Sequence, residues 1–171
     1  MRIFKIYLLS TLLTSTYLFS LNSNIIESKL FVDGEPYYMK GICYHPVPKG
    51  STKRNFSSLI GDLIIMKEVG INTIRVYEPI DDIEVLNLIH KADIKIVMGF
   101  GYNQQGIYDI YSGTYIDYVK KYLDHDAILM WELGNEYNYN PQWFGGNINN
   151  WYKAMNDASI KIQSIDKKRL V

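Results

Sequence analysis

The sequence predicts an α/β protein built on a parallel sheet, and two observations carry that prediction. Short apolar or β-branched runs, which are typical of strands, begin near positions 37, 71, 94, 127 and 169. The stretches between them carry the apolar spacing of helices, so the strands follow one another at intervals of one β-α unit. A doubly wound sheet and a (β/α)8 barrel share this alternation, and the periodicity alone does not separate them.

Local signals define each element in turn. Before the first strand of the sheet, residues 31–38 hold the turn sequence Val-Asp-Gly-Glu-Pro between two short extended runs. Gly70 supplies a left-handed stop for the first helix, and Asp81, with Glu84 as its capping-box partner, is the expected cap of the second. The predicted strands are 37–44, 71–77, 94–100 and 127–133, with a fifth opening at 169–171, and the predicted helices are 57–69, 81–91, 114–123 and 147–166.

The N-terminus has the pattern of a secretory signal peptide. Arg2 and Lys5 are followed by 16 residues without charge (6–21), a run that is short for a bilayer span and is diluted by Ser and Thr. We predict a signal peptide over 1–23, a mature domain over 24–171, and a secreted or periplasmic protein without stable membrane association after cleavage. An uncleaved anchor and a core helix are the alternatives.

The composition excludes several classes of protein. The 18 basic and 18 acidic residues give a formal net charge of zero, which argues against a nucleic-acid partner, because such proteins carry a basic excess or a basic face. With 47% hydrophobic and 21% charged residues, the 171-residue chain suits one globular domain. The single cysteine, Cys43, excludes an internal disulfide and a multi-cysteine zinc site.

Polar residues with chemical potential follow the predicted strands. In both architectures, functional groups gather at the carboxyl ends of parallel strands, and Asn135 and Glu136 come directly after the fourth strand. A carboxylic acid at this place could protonate a leaving group and then activate water, and the neighbouring amide could donate to a sugar hydroxyl. The alternative is that Glu136 is a solvated loop acid.

Three segments resemble motifs of the clan A glycoside hydrolases, which include the family 2 and family 5 β-glycosidases. Residues 131–136 (Trp-Glu-Leu-Gly-Asn-Glu) resemble the W-x-x-x-N-E ending of strand four in these enzymes. Residues 41–45 resemble the first-strand motif of family 2, and residues 66–75 resemble its run through helix one and strand two. The last run and the Gly-Asn-Glu ending are also similar to β-1,3-glucanosyltransferases. The resemblance covers 31–171.

This resemblance implies a (β/α)8 TIM barrel. A complete barrel needs roughly 250 residues. The segment 24–171 is therefore expected to be its N-terminal half, truncated to about the first four β-α units and the start of strand five. In these families the nucleophile is a glutamate at the end of strand seven, and no residue of this chain matches it.

The resemblance also implies roles for four strand-end residues. Glu136 would be the general acid/base, and Asn135 would bind the hydroxyl next to the reacting carbon. Arg75 would lie at the floor of the site and orient the nucleophile, and His45 would line the pocket beside them. The alternatives are that Arg75 forms a structural ion pair with Glu132 and that His45 caps the following loop.

The aromatic content predicts a place for sugar rings. The chain has 15 tyrosines and 3 tryptophans, and aromatic side chains can stack on the C–H faces of sugars. Tyr102, Tyr137 and Trp143 are predicted to line a glycan cleft, with core packing as the alternative for Tyr102 and Trp143. Trp151 is predicted to lie in the core. His45 and Glu78 are the only nearby pair of possible metal ligands, so we predict no metal and no other cofactor.

The sequence therefore predicts a glycosidase that hydrolyses O-glycosidic bonds of a poly- or oligosaccharide by a retaining two-carboxylate mechanism. The chain by itself is expected to be inactive, because it lacks the nucleophile. The alternatives are a glucanosyltransferase-like transglycosidase, a non-catalytic half-barrel that binds carbohydrate, and a doubly wound binding protein. The open edges of a half-barrel are also expected to permit self-association.

Overall fold

The computed structural model describes residues 21–102 and 108–171, and most of the predicted signal peptide lies outside them. A small antiparallel sheet comes first, in the order β1-β2-β3. It is followed by a four-stranded parallel sheet. The elements of the small sheet are β1 (Ser23–Ile26), β2 (Lys29–Val32) and β3 (Glu35–Pro36). The parallel strands are β4 (Gly41–Cys43), β5 (Thr73–Val76), β6 (Lys95–Phe100) and β7 (Ile128–Leu133). The helices are α1 (Leu59–Glu68), α2 (Ile83–Lys91), α3 (Tyr115–Lys121) and α4 (Ile148–Ile165), with 3-10 helices at Tyr137–Tyr139 and Pro141–Phe144.

The strand order of the parallel sheet confirms the α/β prediction. The four strands are neighbours in the order β4-β5-β6-β7, which is also their order along the chain, and all three pairings are parallel. A doubly wound sheet reverses its strand order at a switch point, whereas a barrel keeps it. Beyond β7, Leu170 forms a single parallel bridge with Met130, where the fifth strand was predicted to open. The topology is compatible with part of a TIM barrel.

The hydrophobic core lies between the parallel sheet and the helices. Alternate residues of the strands point towards the helices, and on β6 these are Ile96, Met98 and Phe100, all fully buried. Phe100 stacks on Trp131 of β7, and Tyr118 of α3 contacts both rings edge-on. The other face of the sheet carries the polar residues that form the site described below.

Two predicted details differ in the structure. The cap of α2 is Asp82, whose Oδ1 accepts from the backbone N–H of Glu84 at 2.9 Å, and the predicted cap Asp81 was wrong. Asp81 instead accepts from Lys121 Nζ at 2.6 Å and from the Tyr122 hydroxyl at 2.7 Å, so it fastens α3 to the loop before α2. The first parallel strand spans only Gly41–Cys43, whereas the sequence predicted 37–44.

The first described residues pack against the end of the chain. Leu21 is 2% exposed, and its N–H donates to Asp126 Oδ1 at 3.0 Å. The Ser23 hydroxyl donates to the Leu129 carbonyl at 2.8 Å, and its N–H donates to the Lys168 carbonyl at 2.8 Å. Residues 21–23 are therefore part of the folded body, although the sequence placed them in the leader. We now propose a boundary before Leu21. None of the described helices is long and apolar enough to cross a membrane.

The packing of residues 21–23 leads to a prediction about processing. We expect the mature chain to begin at Leu21 or before it, and N-terminal sequencing of exported material checks this. A chain that starts at Asn24 loses the burial of Leu21, which alone is worth about 1.5–3 kcal/mol. Its melting temperature should lie below that of a chain starting at Leu21. Equal melting temperatures would show that residues 21–23 add nothing to the fold.

His125 sits in a partly buried environment that favours its neutral form. Its Nδ1 accepts from the backbone N–H of Ala127 at 3.2 Å, and its Nε2 lies 3.2 Å from Asn87 Oδ1. Burial lowers the pKa of His125, and the positive charges of His90, Arg169 and Lys95 act in the same direction, while Asp126 opposes them. An imidazole whose Nδ1 accepts a hydrogen bond must give up that bond when it is protonated.

This pKa shift predicts a loss of stability in weak acid. The unfolded chain protonates His125 at about pH 6.5, and the folded chain does so only at lower pH. The unfolded state therefore binds more protons as the pH falls below that value, and the free energy of unfolding decreases until the folded pKa is passed. Melting curves at about pH 7.5 and about pH 5.5, on either side of the ordinary histidine pKa, should show a smaller drop for His125→Gln than for wild type. His45→Gln, at an exposed imidazole, is the control and should keep the wild-type drop.

Candidate active site

Register brings the polar residues of three strands to one face of the sheet. Cys43 of β4 pairs with Arg75 of β5, and Arg75 pairs with Val97 of β6. Glu132 of β7 lies opposite Gly99. Neighbours in a parallel sheet point to the same side, so the side chains of Cys43, Arg75 and Glu132 share the face away from the core. A Cβ on Gly99 would lie 2.4 Å from the Val76 carbonyl oxygen, so only glycine fits between Arg75 and Glu132 at this place.

Arg75 of β5 and Glu132 of β7 form a two-point ion pair across β6. Arg75 Nε donates to Glu132 Oε2 at 2.7 Å, and Nη2 donates to Oε1 at 2.6 Å. Both side chains are 28% exposed, so the pair lies at the edge of the solvent and is not part of the core. The hydrogen bonds to Glu132 raise the pKa of Arg75. The alternative interpretation of Arg75 from the sequence, an ion pair with Glu132, is confirmed.

Arg75 also holds Asn135, which follows β7. Its Nη2 donates to Asn135 Oδ1 at 2.9 Å, so the two hydrogens of Nη2 serve Glu132 and Asn135. The guanidinium lies over the ring of Tyr77, 4.7 Å from its centroid, and Nη1 lies 3.8 Å from Cys43 Sγ. Four contacts thus fix the plane of Arg75, and one Nη1 hydrogen remains for a ligand or another group.

Glu136 lies one residue beyond Asn135 in a left-handed turn. Its φ is 54°, and Gly134, two residues before it, has a φ of 79°. A Cβ on Gly134 would lie 2.5 Å from the Trp151 ring and 2.8 Å from the Tyr137 ring, so only glycine fits there. The Gly134 N–H donates to the Phe100 carbonyl at 2.7 Å. These contacts constrain the path of the backbone after β7, and on this path the Glu136 side chain is exposed.

An aromatic cluster supports this loop from below. Tyr137 packs against Trp151 with ring centroids 4.8 Å apart, and Tyr102 meets both rings edge-on. The Tyr137 hydroxyl accepts from the backbone N–H of Tyr102 at 2.7 Å, and burial raises the pKa of both hydroxyls. Tyr102 and Tyr137 are each only 8% exposed, so the structure places them beneath the loop and not along a cleft. Trp151 is buried with them, as predicted.

Trp143 is the predicted aromatic residue that reaches the surface. It is 44% exposed, and its ring lies 4.9 Å from Tyr137. Tyr139 is 76% exposed in the 3-10 helix that directly follows Glu136. These two rings therefore border the loop on the solvent side and remain able to stack on a ligand.

His45 contacts Tyr77, the residue over which Arg75 lies. Its exposed ring meets Tyr77 edge-on at 6.2 Å, and Tyr77 in turn lies under Arg75. Hydrogen bonding with Tyr77 and Arg75 lowers the pKa of Cys43, and the same contact with Cys43 raises the pKa of Tyr77. The sequence analysis assigned no role to Cys43 or Tyr77. The available signal was their place at the ends of β4 and β5, beside the motif that contains Arg75.

No group of three His, Cys, Asp or Glu residues that could hold a metal ion occurs within 21–102 and 108–171. The chemistry of this region belongs to one exposed carboxylate, Glu136, one oriented amide, Asn135, and one clamped guanidinium, Arg75. Such a set can donate and accept a proton and can bind the hydroxyl groups of a ligand.

Comparison with known proteins supports a relationship to glycoside hydrolases. No protein-family profile matches the chain. A curated relative, 1,3-beta-glucanosyltransferase GAS4 of Saccharomyces cerevisiae, is 26% identical over 134 residues, which are 71% of this chain and 28% of that protein. Among solved structures, Parabacteroides merdae β-glucuronidase matches with a TM-score of 0.67 at 18% identity, over 87% of this chain and 20% of that one.

Other solved glycosidases show the same fold. A β-glycosidase from Bacteroides vulgatus gives a TM-score of 0.64 at 20% identity, over 88% of this chain and 20% of that one. A family 2 β-galacturonidase from Eisenbergiella tayi gives 0.63 at 19% identity, over 87% of this chain and 27% of that one. The chain thus spans between a fifth and somewhat more than a quarter of these proteins. The resemblance to clan A glycoside hydrolases is confirmed at the level of the fold.

Proposed function

We propose that this chain forms the first four β-α units of a glycosidase barrel and carries its general acid/base, Glu136. The observation that carries this proposal is the pair Asn135–Glu136 at the carboxyl end of β7, with the amide held by Arg75 at 2.9 Å and the carboxylate exposed. The motifs of residues 41–45 and 66–75, and the similarity to glycosidase structures, support the same assignment.

In this proposal the carboxyl group of Glu136 works twice. As an acid it protonates the glycosidic oxygen while a second carboxylate attacks the reacting carbon. The glycosidic bond breaks, and a covalent glycosyl-enzyme forms. The two displacements together retain the configuration of the reacting carbon. As a carboxylate it then removes a proton from the incoming water, which attacks the glycosyl-enzyme. None of the described residues is assigned as the nucleophile, so the chain is expected to need a second carboxylate for turnover.

Arg75, Asn135 and the exposed rings act on the substrate in this scheme. Because Arg75 occupies the amide oxygen of Asn135, the Nδ2 group is left to donate to the hydroxyl next to the reacting carbon. His45 borders the pocket beyond Tyr77. Trp143 presents an exposed ring against Tyr137, the residue after Glu136, and a neighbouring sugar of an oligosaccharide would stack on this ring.

A transglycosidase is the second candidate, and the similarity to a 1,3-β-glucanosyltransferase over 71% of the chain favours it. Both reactions share the first step, and they differ in whether water or a sugar hydroxyl attacks the glycosyl-enzyme. Chromatography of the products formed from β-1,3-linked oligosaccharides separates them. Products longer than the substrate indicate transfer, and only shorter products indicate hydrolysis.

The test of the acid/base role is Glu136→Gln in the full gene product. Gln keeps the shape and lacks the transferable proton, so activity on a natural glycan should fall by about 10²–10⁴-fold. Activated aryl glycosides should lose less in the first step, because their leaving groups need no protonation. Azide should restore turnover and yield a glycosyl azide, since a small anion attacks without a general base. Unchanged activity on the natural glycan would rule out this role, whereas a wild type without any glycosidase activity would favour a non-catalytic carbohydrate-binding half-barrel.

Glu68→Gln is the matched control for this variant. Glu68 is also exposed, but it ends α1 on the side of the sheet where β5 begins, away from the carboxyl ends of the strands. We expect Glu68→Gln to keep the wild-type rate and to show no response to azide. A similar loss in both variants would indicate a general effect of charge and not an acid/base role.

The flank of the sheet beside β4 supports a further proposal, that this chain associates with itself. Ile42 of β4 is 39% exposed, Ile65 of α1 is 59% exposed, and Val69, the C-cap of α1, is 70% exposed. Among the described strands, β4 lies at the edge of the parallel sheet, and exposed apolar side chains beside an edge strand favour association with another chain. Sedimentation velocity should show species larger than a monomer that grow with concentration, and Ile65→Lys with Val69→Lys should reduce them. A monomer at all concentrations would contradict this proposal.

A further inference from the structure

We infer that Glu132 is a positioning residue for the proposed reaction. It holds Arg75, and through Arg75 it sets the amide of Asn135 so that the Nδ2 group faces the ligand. This inference rests on the proposed function, because it concerns the residue next to the proposed acid/base. It assigns to Glu132 a role beyond that of an ion-pair partner.

The hydrogen bonds show how Glu132 reaches Asn135. Both Glu132 oxygens bind the Nε–Nη2 edge of Arg75. Nε lies 2.7 Å from Oε2, and Nη2 lies 2.6 Å from Oε1. This fork fixes the plane of the guanidinium, and the plane determines where the second hydrogen of Nη2 points. That hydrogen is directed at Asn135 Oδ1, 2.9 Å away. Glu132 therefore controls Asn135 through one shared nitrogen atom.

The chemistry of Arg75 fixes which end of the Asn135 amide faces it. A guanidinium has only hydrogen-bond donors, so it can bond to an amide oxygen but not to an amide NH2 group. The Asn135 amide therefore presents donors alone to the open side of the site. A ligand group that binds there must supply an acceptor, such as a hydroxyl oxygen. Rotation of the amide by half a turn would present an acceptor instead and would lose the Arg75 contact.

A second arginine–carboxylate pair in the chain shows what a purely structural pair looks like. Arg169 and Asp166 are 3.0 Å apart with fully buried side chains. Arg169 also donates to the carbonyls of Ile128 and His125, so its donors serve the fold. Arg75 and Glu132 differ from this pair because they are partly exposed and because a donor of Arg75 serves a residue in the exposed loop.

The test is a cycle between Glu132→Gln and a series of monodeoxy substrates in the full gene product. In the wild type, removal of the hydroxyl that Asn135 binds should lower kcat/KM by at least about tenfold. The Glu132→Gln side chain has one acceptor oxygen in place of two, so Arg75 and the Asn135 amide lose their fixed orientation. The same deoxy substrate should then cost Glu132→Gln less than about threefold, because the hydrogen bond to that hydroxyl is already weakened. The rate on the intact substrate should fall by about 10²-fold.

Controls separate this role from a general loss of stability. Asp166→Asn weakens the buried pair without touching Arg75, so it should lower the melting temperature and keep the wild-type penalty for the deoxy substrate. Glu132→Asp keeps the charge and should recover part of the lost rate. If Glu132→Gln does not fold, Arg75→Lys replaces it in the same cycle with the same expected result, because lysine keeps the charge but cannot form the fork.

Two outcomes would overturn the inference. One is a deoxy penalty that is unchanged in Glu132→Gln, and the other is a wild type in which no single hydroxyl matters. Glu136→Gln is measured in parallel, because it tests the proposed function separately. If Glu136→Gln loses activity and recovers it with azide while the deoxy penalty is unchanged in Glu132→Gln, only the role of Glu132 is wrong.

Discussion

The fork between Arg75 and Glu132 is the contact on which the candidate site depends. It joins β5 to β7 across the glycine of β6, and it turns one guanidinium hydrogen towards the loop that carries Asn135 and Glu136. The pair is at the solvent edge, where an ordinary surface ion pair contributes little to stability. Its importance is geometric, since two-point pairing fixes a plane that a single charge contact would leave free to rotate.

Two different sets of contacts constrain the loop after β7. The aromatic cluster beneath it sets the backbone, whereas the guanidinium beside it sets the amide. Gly134 allows the backbone to approach Trp151. The Tyr137 ring packs against Trp151, and its hydroxyl accepts from the backbone N–H of Tyr102. The carboxylate of Glu136 makes no hydrogen bond or ion pair with any described residue. An acid that exchanges protons with a ligand benefits from this freedom, because a bound partner would compete with the ligand.

The apolar period predicted the parallel strands and all four helices, and strand alternation offered the ion pair of Arg75 with Glu132 as an alternative to its role at the site. The sequential order of the strands was implied by the family resemblance and not by the period. The sequence left Tyr102 open between cleft and core, and it did not predict that Tyr137 is buried. An aromatic residue after a strand has the same local pattern whether it faces a cleft or supports a loop, and only the packing of Trp151 decides between them. The cap at Asp82 was missed for a similar reason, since adjacent aspartates offer equal local signals and the contact of Asp81 with Lys121 is non-local.

The contact of the first residues with the end of the chain has a consequence for the order of folding. The Ser23 hydroxyl accepts from the N–H of Leu170, a partner 147 positions away. β1 therefore cannot find its final place until nearly all of the described sequence has emerged from the ribosome. Contacts of such long separation form late, because closing a long loop costs entropy before it is rewarded. β1 is therefore expected to dock on β7 only near the end of synthesis.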